Sequence, residues 1–151
     1  MRSPAELTEA FRAQGLKITP QRQAIFRTLH GATDHPTAEL VHARVSAAMP
    51  SLSLRTVYQT LNDLAAMGEI SAVDLGTGST RFDPAGAGHH HLVCTRCGAV
   101  RDVFLAGVDI DVPTADAAGF VVGQPEITWR GLCPACQSAD KQSTKGNLSN
   151  A

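Results

Sequence analysis

The feature that most constrains this chain is a pair of Cys-x-x-Cys motifs, Cys94/Cys97 and Cys133/Cys136, separated by 35 residues and using all four of its cysteines. Four thiols at that spacing suit a structural zinc site. A tetrahedral metal at ~2.3 Å from each sulfur needs two short knuckles folded against each other, and Gly98 supplies turn freedom at the first. The competing reading is a thioredoxin-like redox pair, which requires one pair at a strand-to-helix turn and leaves the other pair without a role. A disulfide framework belongs to short exported chains. Here Met1-Arg2-Ser3-Pro4-Ala5-Glu6 has no apolar signal core, and no run approaches the ~18 apolar residues of a membrane span. A cytoplasmic protein with no membrane contact is expected.

The first knuckle lies in the stretch His89 to Asp102, which also holds half of the six histidines. On a strand, where side chains alternate, His89 and His91 fall on one face and His90 on the other. The stretch therefore divides into thiolates for one site and imidazoles for another. Arg96, Arg101 and Arg130 flank the cysteines in sequence, and at least one of them is expected to offset the charge of a four-thiolate zinc.

The N-terminal half reads as closely spaced helices. Ser3-Pro4-Ala5-Glu6 is a helix start with a capping box, and Gly15 ends that helix. Thr19-Pro20 starts a second with Ile25, Phe26 and Leu29 inward. A third follows Thr37, with Leu40, Val41, Val45 and Ala48 inward, and ends at Met49-Pro50. A fourth starts at Ser53 with Leu54, Val57, Leu61 and Leu64 on one face and stops at Met67-Gly68. Ile70–Asp74 and Thr80–Phe82 flank Gly76-Thr77-Gly78-Ser79, a hairpin turn. Helices followed by a hairpin predict a winged helix over residues 1–83, a fold that lays one helix in the DNA major groove. By position that helix is 54–67. Its outward face offers Arg55, Thr56, Tyr58, Gln59 and Asn62, residue types that read base edges and phosphates. Charge supports this modestly: the whole chain is near neutral at −1, but residues 1–27 carry five basic groups against two acidic ones.

Asp83-Pro84-Ala85-Gly86-Ala87-Gly88 is a composition break, so residues 84–88 are read as a hinge. Beyond it, 89–137 forms a second domain with strands expected at His89–Cys94, Ala99–Leu105 and Phe120–Trp129. Residues 106–119 are ambiguous: Val108, Ile110 and Val112 alternate like a strand, and Pro113-Thr114 could cap a short helix. The tail, 138–151, is polar enough to be read as disordered.

Several of these segments together resemble the ferric uptake regulator family. They are Gly15-Leu16-Lys17-Ile18-Thr19-Pro20-Gln21-Arg22, His35-Pro36-Thr37-Ala38, Ser53-Leu54-Arg55-Thr56-Val57-Tyr58, His89 to Gly98, and Gly131-Leu132-Cys133-Pro134-Ala135-Cys136. The match runs from about residue 5 to 137. The resemblance implies an α+β protein: a winged-helix DNA-binding domain, then a C-terminal α/β dimerisation domain with a Cys₄ zinc site. It implies a homodimeric, metal-dependent repressor of double-stranded DNA carrying an A/T-rich inverted repeat, and no enzyme. Arg55 and Tyr58 would contact DNA from the recognition helix and Lys17 would approach the minor groove; the role at Arg22 stays open.

The family's regulatory metal positions fall here on His35, Asp83, His89, His91 and Asp102. Iron-sensing members usually carry Glu at the two acidic positions, whereas the peroxide-sensing branch carries Asp. The resemblance therefore points to a peroxide-sensing repressor whose His35 or His89 is oxidised; an iron- or manganese-responsive regulator indifferent to peroxide is the alternative. A further family site would need a His near Gln124-Pro125 and is expected to be incomplete. Chemistry agrees on the metal, since imidazoles and carboxylates without thiolate suit Fe²⁺ or Mn²⁺. Taken singly, His35, Asp83 and Asp102 are ordinary loop, turn and strand residues. A metallohydrolase is disfavoured because the chain offers neither a nucleophile motif nor a Gly-rich phosphate loop, and a zinc-ribbon module without DNA binding because of the winged-helix half.

Overall fold

The computed structural model of the chain describes residues 1–86, 88–105 and 110–145, with side chains described as far as residue 139. The chain divides into two compact units, Met1–Ala87 and Gly88–Ala151.

The first unit contains four helices, α1 (Pro4–Ala13), α2 (Pro20–Leu29), α3 (Ala38–Ser46) and α4 (Leu54–Ala66), and a two-stranded antiparallel ribbon, β1 (Ser71–Val73) with β2 (Arg81–Asp83). Each of the four helices begins at a hydroxyl cap: Ser3, Thr19, Thr37 and Ser53 accept from the third helical amide. At Ser3 the Glu6 side chain returns the bond, closing the expected capping box. Gly15, at φ 71, ends α1 with Leu16 N–H donating to the Phe11 carbonyl at 2.9 Å, a conformation that only glycine adopts without strain.

A core cluster of fourteen buried residues holds this unit together, among them Leu7, Phe11, Ile25, Phe26, Val57, Leu61 and Leu64. Phe11 and Phe26 meet edge to face at 4.8 Å. Arg22 lies over the Phe11 ring and donates to Asp63 at 2.6 Å, tying α2 to α4.

Two inward sets differ from expectation. Leu54 is 37% exposed while Thr60 is fully buried, its hydroxyl donating to the Thr56 carbonyl. A hydroxyl satisfied by its own helix can enter the core, and it does so here. Helix α3 stops at Ser46, which leaves Ala48 outside it, and Leu40 faces solvent.

The second unit carries a three-stranded sheet in the order β4-β3-β5, from β3 (His90–Cys94), β4 (Val100–Val103) and β5 (Thr128–Gly131). Strand β3 pairs antiparallel with β4 and parallel with β5. A parallel neighbour requires a long connection, and it comes from the residues between β4 and β5. Strand β5 begins at Thr128, eight residues later than Phe120. Described residues 110–127 contain turns and no helix or strand, while 106–109 lie outside the described residues. Phe120, Val121 and Val122 are exposed, and among the described residues no strand pairs with them to realise their strand character.

The tail expectation also changes. Helix α5 runs Pro134–Lys145, well into the segment read as disordered, and the rest of that segment, 146–151, lies outside the described residues. Pro at its first position and the helix formers Ala, Gln and Lys outweigh its poverty in apolar groups.

Candidate metal centres

The four cysteines converge. Cys94 ends β3, Cys97 closes the turn into β4, Cys133 follows β5, and Cys136 lies in the first turn of α5. The hairpin is held by Gly98 N–H to the Cys94 carbonyl and Cys94 N–H to the Ala99 carbonyl, at 2.9 and 2.8 Å. Gly98 sits at φ 69, the freedom anticipated at this knuckle. In β3–β5 pairing Cys94 stands opposite Gly131, which sets Cys133 beside the first knuckle.

All four sulfurs lie within 4.8 Å of one another, and Cys97 Sγ is 3.7 Å from Cys133 Sγ. Two sulfurs on a tetrahedral metal at ~2.3 Å stand about 3.8 Å apart, so the spacing fits zinc. The second pair does lie at a strand-to-helix turn, where a redox pair would belong. The convergence of both pairs decides for one four-thiolate site.

Electrostatics at the site point the same way. Backbone N–H groups of Cys97, then Cys133, aimed at Cys94 bring its thiol down to about 6, against burial. Cys136 is pushed up to about 12 by the neighbouring Cys133 thiol and then by burial. One sulfur is readied as a thiolate and another resists a further negative charge, a conflict that a dication among them offsets. Of the flanking arginines, Arg96 donates to the Cys136 carbonyl at 2.9 Å, which places its cation at the second knuckle.

The imidazole and carboxylate residues form a buried pair in the first unit and a buried cluster in the second. In the first unit, His35 is fully buried just before α3 and Asp83 is the last residue of β2, 2% exposed. His35 Nε2 lies 3.5 Å from Asp83 Oδ1. His35 has φ 47, left-handed and uncommon away from glycine. The wing strand holds that conformation: Arg81 Nη1 donates to the His35 carbonyl and Phe82 N–H to the Pro36 carbonyl, each at 3.0 Å. Nothing in the sequence announced Arg81, because its partner is 46 residues away.

In the second unit His89 and His91 are buried on one face, ring centroids 4.9 Å apart. Asp102 stands opposite His91 in the β3–β4 register, its Oδ1 3.6 Å from His89 Nε2. His90 faces the other way, accepting from Ile127 N–H at Nδ1 and meeting the edge of Trp129. Alternation along β3 thus sorts the three histidines as the sequence predicted. Two donors of a metal bound at about 2.0–2.2 Å stand about 3.0–3.6 Å apart, so both carboxylate–imidazole spacings suit metal ligation.

On α4, Arg55, Tyr58, Gln59 and Asn62 are all exposed and lie at helical spacing on one stripe; Lys17 is exposed in the loop between α1 and α2. Tyr58 donates to Glu39 on α3 at 2.6 Å, a partner 19 positions away that no sequence motif singles out.

A capped four-helix unit ending in a wing, followed by a small sheet bearing four converged thiols and a His/Asp cluster, defines a metal-binding winged-helix protein. The chain belongs to the Ferric uptake regulator family, whose profile matches residues 13–122. It is a metal-responsive regulator of that family, whose members are transcription regulators rather than enzymes. It is 31% identical over 136 residues to the peroxide operon regulator of Bacillus subtilis, an alignment covering 89% of this chain and 94% of that one. Among solved structures, the Helicobacter pylori ferric uptake regulator Fur superposes with a TM-score of 0.69 at 20% identity, covering 88% of this chain and 90% of the other, a likeness of fold. PerR from Streptococcus pyogenes, described for peroxide sensing and gene regulation, superposes at 0.52 with 28% identity, covering 91% and 95%. No helix among the described residues is long and apolar enough to cross a membrane.

Proposed function

We propose that the chain is a metal-dependent transcriptional repressor that binds DNA as a homodimer in the cytoplasm and releases it when peroxide oxidises a histidine ligand. The observation that carries the peroxide reading is the pair of aspartates, Asp83 and Asp102, each within 3.6 Å of a buried histidine nitrogen. The 31% identity to a peroxide operon regulator supports it.

In this reading Cys94, Cys97, Cys133 and Cys136 hold structural Zn²⁺, which keeps β3 rigid. His35 and Asp83 from the winged-helix half and His89, His91 and Asp102 from the dimerisation half hold Fe²⁺ or Mn²⁺. A ligand set drawn from both sides of residues 84–88 makes metal affinity and domain arrangement one equilibrium. In a homodimer that arrangement sets the separation of the two α4 helices, which must match half-sites about 34–36 Å apart or a multiple. Arg55, Tyr58, Gln59 and Asn62 read the major groove of an A/T-rich inverted repeat, and Lys17 reaches the minor groove.

Bound Fe²⁺ would supply the one-electron activation of peroxide with no net change of its own, and the two electrons that cleave the O–O bond come from the imidazole, whose C–H is oxidised. An imidazole carbon of His35 or His89 gains one oxygen atom, and the other oxygen leaves as water. The modified ring is a poorer ligand, the metal is lost, and so is the arrangement that grips DNA.

A gel shift on A/T-rich inverted repeats, with apo, Mn²⁺ and Fe²⁺ protein each with and without peroxide, tests this. Binding with either metal, release by peroxide only from the Fe²⁺ form, and one added oxygen on a peptide containing His35 or His89 are expected. Release from neither form would leave an iron- or manganese-responsive regulator. The variant Asp102→Glu should keep metal-dependent binding and blunt peroxide release; release as ready as wild type would sink the assignment to aspartate.

A further inference from the structure

Tyr58 stands in the exposed stripe of α4, yet its only proton is committed. The phenol donates to Glu39 Oε1 at 2.6 Å, a charge-assisted bond between helices α4 and α3. Glu39 is well held for this purpose. It occupies the first turn of α3, where the helix N-terminus favours a carboxylate, and the Tyr58 hydroxyl, then its own backbone N–H and the nearby Thr37 hydroxyl, hold its carboxyl below the usual range.

A tyrosine on a DNA-reading helix has two modes. It can donate its hydroxyl to a phosphate, which carries no sequence information, or lay its ring against a thymine methyl, which does. A phosphate seeking the Tyr58 hydroxyl finds its O–H already donated to Glu39, and that acceptor is itself an anion. The ring, with Tyr58 40% exposed, stays open to contact.

Resting on the reading of α4 as the DNA-recognition helix, we propose that Glu39 is a specificity-determining residue that commits Tyr58 to reading a thymine methyl with its ring rather than a phosphate with its hydroxyl. Glu39 acts through Tyr58, so it is a positioning residue. It trades phosphate affinity for discrimination: a free hydroxyl would tighten binding to all duplexes alike.

The test uses the full-length Mn²⁺-loaded protein and a duplex it selects from a random-sequence library. Thymines of that duplex are replaced singly by deoxyuridine, which removes only the methyl. Wild type should lose about four-fold in affinity, the worth of one buried methyl group, at a thymine whose effect disappears in Tyr58→Ala. In Glu39→Ala that loss should fall away, and the log–log salt dependence should steepen by about 0.9, one added phosphate contact. Glu39→Gln still accepts the hydroxyl and should keep the uracil sensitivity.

The uracil effect is a ratio within one variant, so partial misfolding does not move it. Unchanged uracil loss and salt slope in Glu39→Ala would overturn the proposal. So would a steeper slope for Glu39→Ala in a Tyr58→Phe background, where charge alone remains, or a wild type with no Tyr58-dependent thymine. If no duplex is enriched, the DNA-binding reading itself fails.

Discussion

The two units solve the problem of stability differently. The first buries fourteen mutually packed residues around Phe11 and Phe26 and caps each of its four helices with a side-chain hydroxyl. Among the described residues of the second, the buried hydrophobic side chains are Val93, Cys94 and Cys136, while Leu92, Phe104, Phe120, Val121, Val122, Trp129 and Leu132 are exposed. A sheet of three short strands with so small a core needs something besides apolar burial. Its converged thiols suit a cross-link by metal, and its exposed apolar residues suit a partner subunit. The contrast predicts that the first unit folds by its own core and the second around an ion, within one short chain.

The largest effect should come from removing metal at the cysteines, since structural zinc contributes on the order of 10–16 kcal/mol in small metal-folded domains. Chelation, or Cys94→Ser, should change the emission of Trp129, the only tryptophan, and strip hydrogen-exchange protection from β3–β5. Helices α1 to α4 should keep their far-UV signal and protection. Collapse of those helices together with the sheet would break the comparison.

The converse substitution strikes the first unit. Phe26→Ala removes a fully buried ring from the centre of that core and should cost about 3–5 kcal/mol in urea unfolding followed by helical circular dichroism. Its metal-dependent Trp129 signal should persist; loss of that signal would mean the second unit depends on the first for folding.

The smallest effect is electrostatic. Burial pushes the Glu69 carboxyl up, but its side-chain and backbone bonds from Arg2 outweigh this and hold it below the usual range. A group with a lowered folded-state pKa stabilises above its unfolded value, about 4.3, and that stability drains as pH falls through the folded value. The urea midpoint of the helical unit should therefore drop on acidification, and less so in Glu69→Gln. An equal drop in both would assign the acid sensitivity elsewhere.

Much of this molecule was legible before folding. Hydroxyls three residues ahead of the amides they cap, the period-two ordering of His89, His90 and His91, and the paired cysteine spacing are short-range or counting rules, and each reappears in the structure. The failures have opposite causes. Phe120-Val121-Val122 looked like a strand because strand character in sequence is a statement about side chains that pack well, and among the described residues no neighbouring strand receives them. The tail after Cys136 looked structureless because polar residues imply little burial, yet helix α5 is carried by local propensity from Pro134.

Sequence alone singled out two sets of candidate metal donors, the helical first half and the family resemblance, because ligand chemistry, capping and apolar periodicity are written in residue types at fixed offsets. It was silent on Arg81 holding the His35 carbonyl, on Arg22 meeting Asp63, and on Glu39 accepting the Tyr58 hydroxyl. Those contacts join residues 46, 41 and 19 positions apart. No local rule reaches across such separations; the packing of α2, α3, α4 and the wing brings the partners within bonding distance.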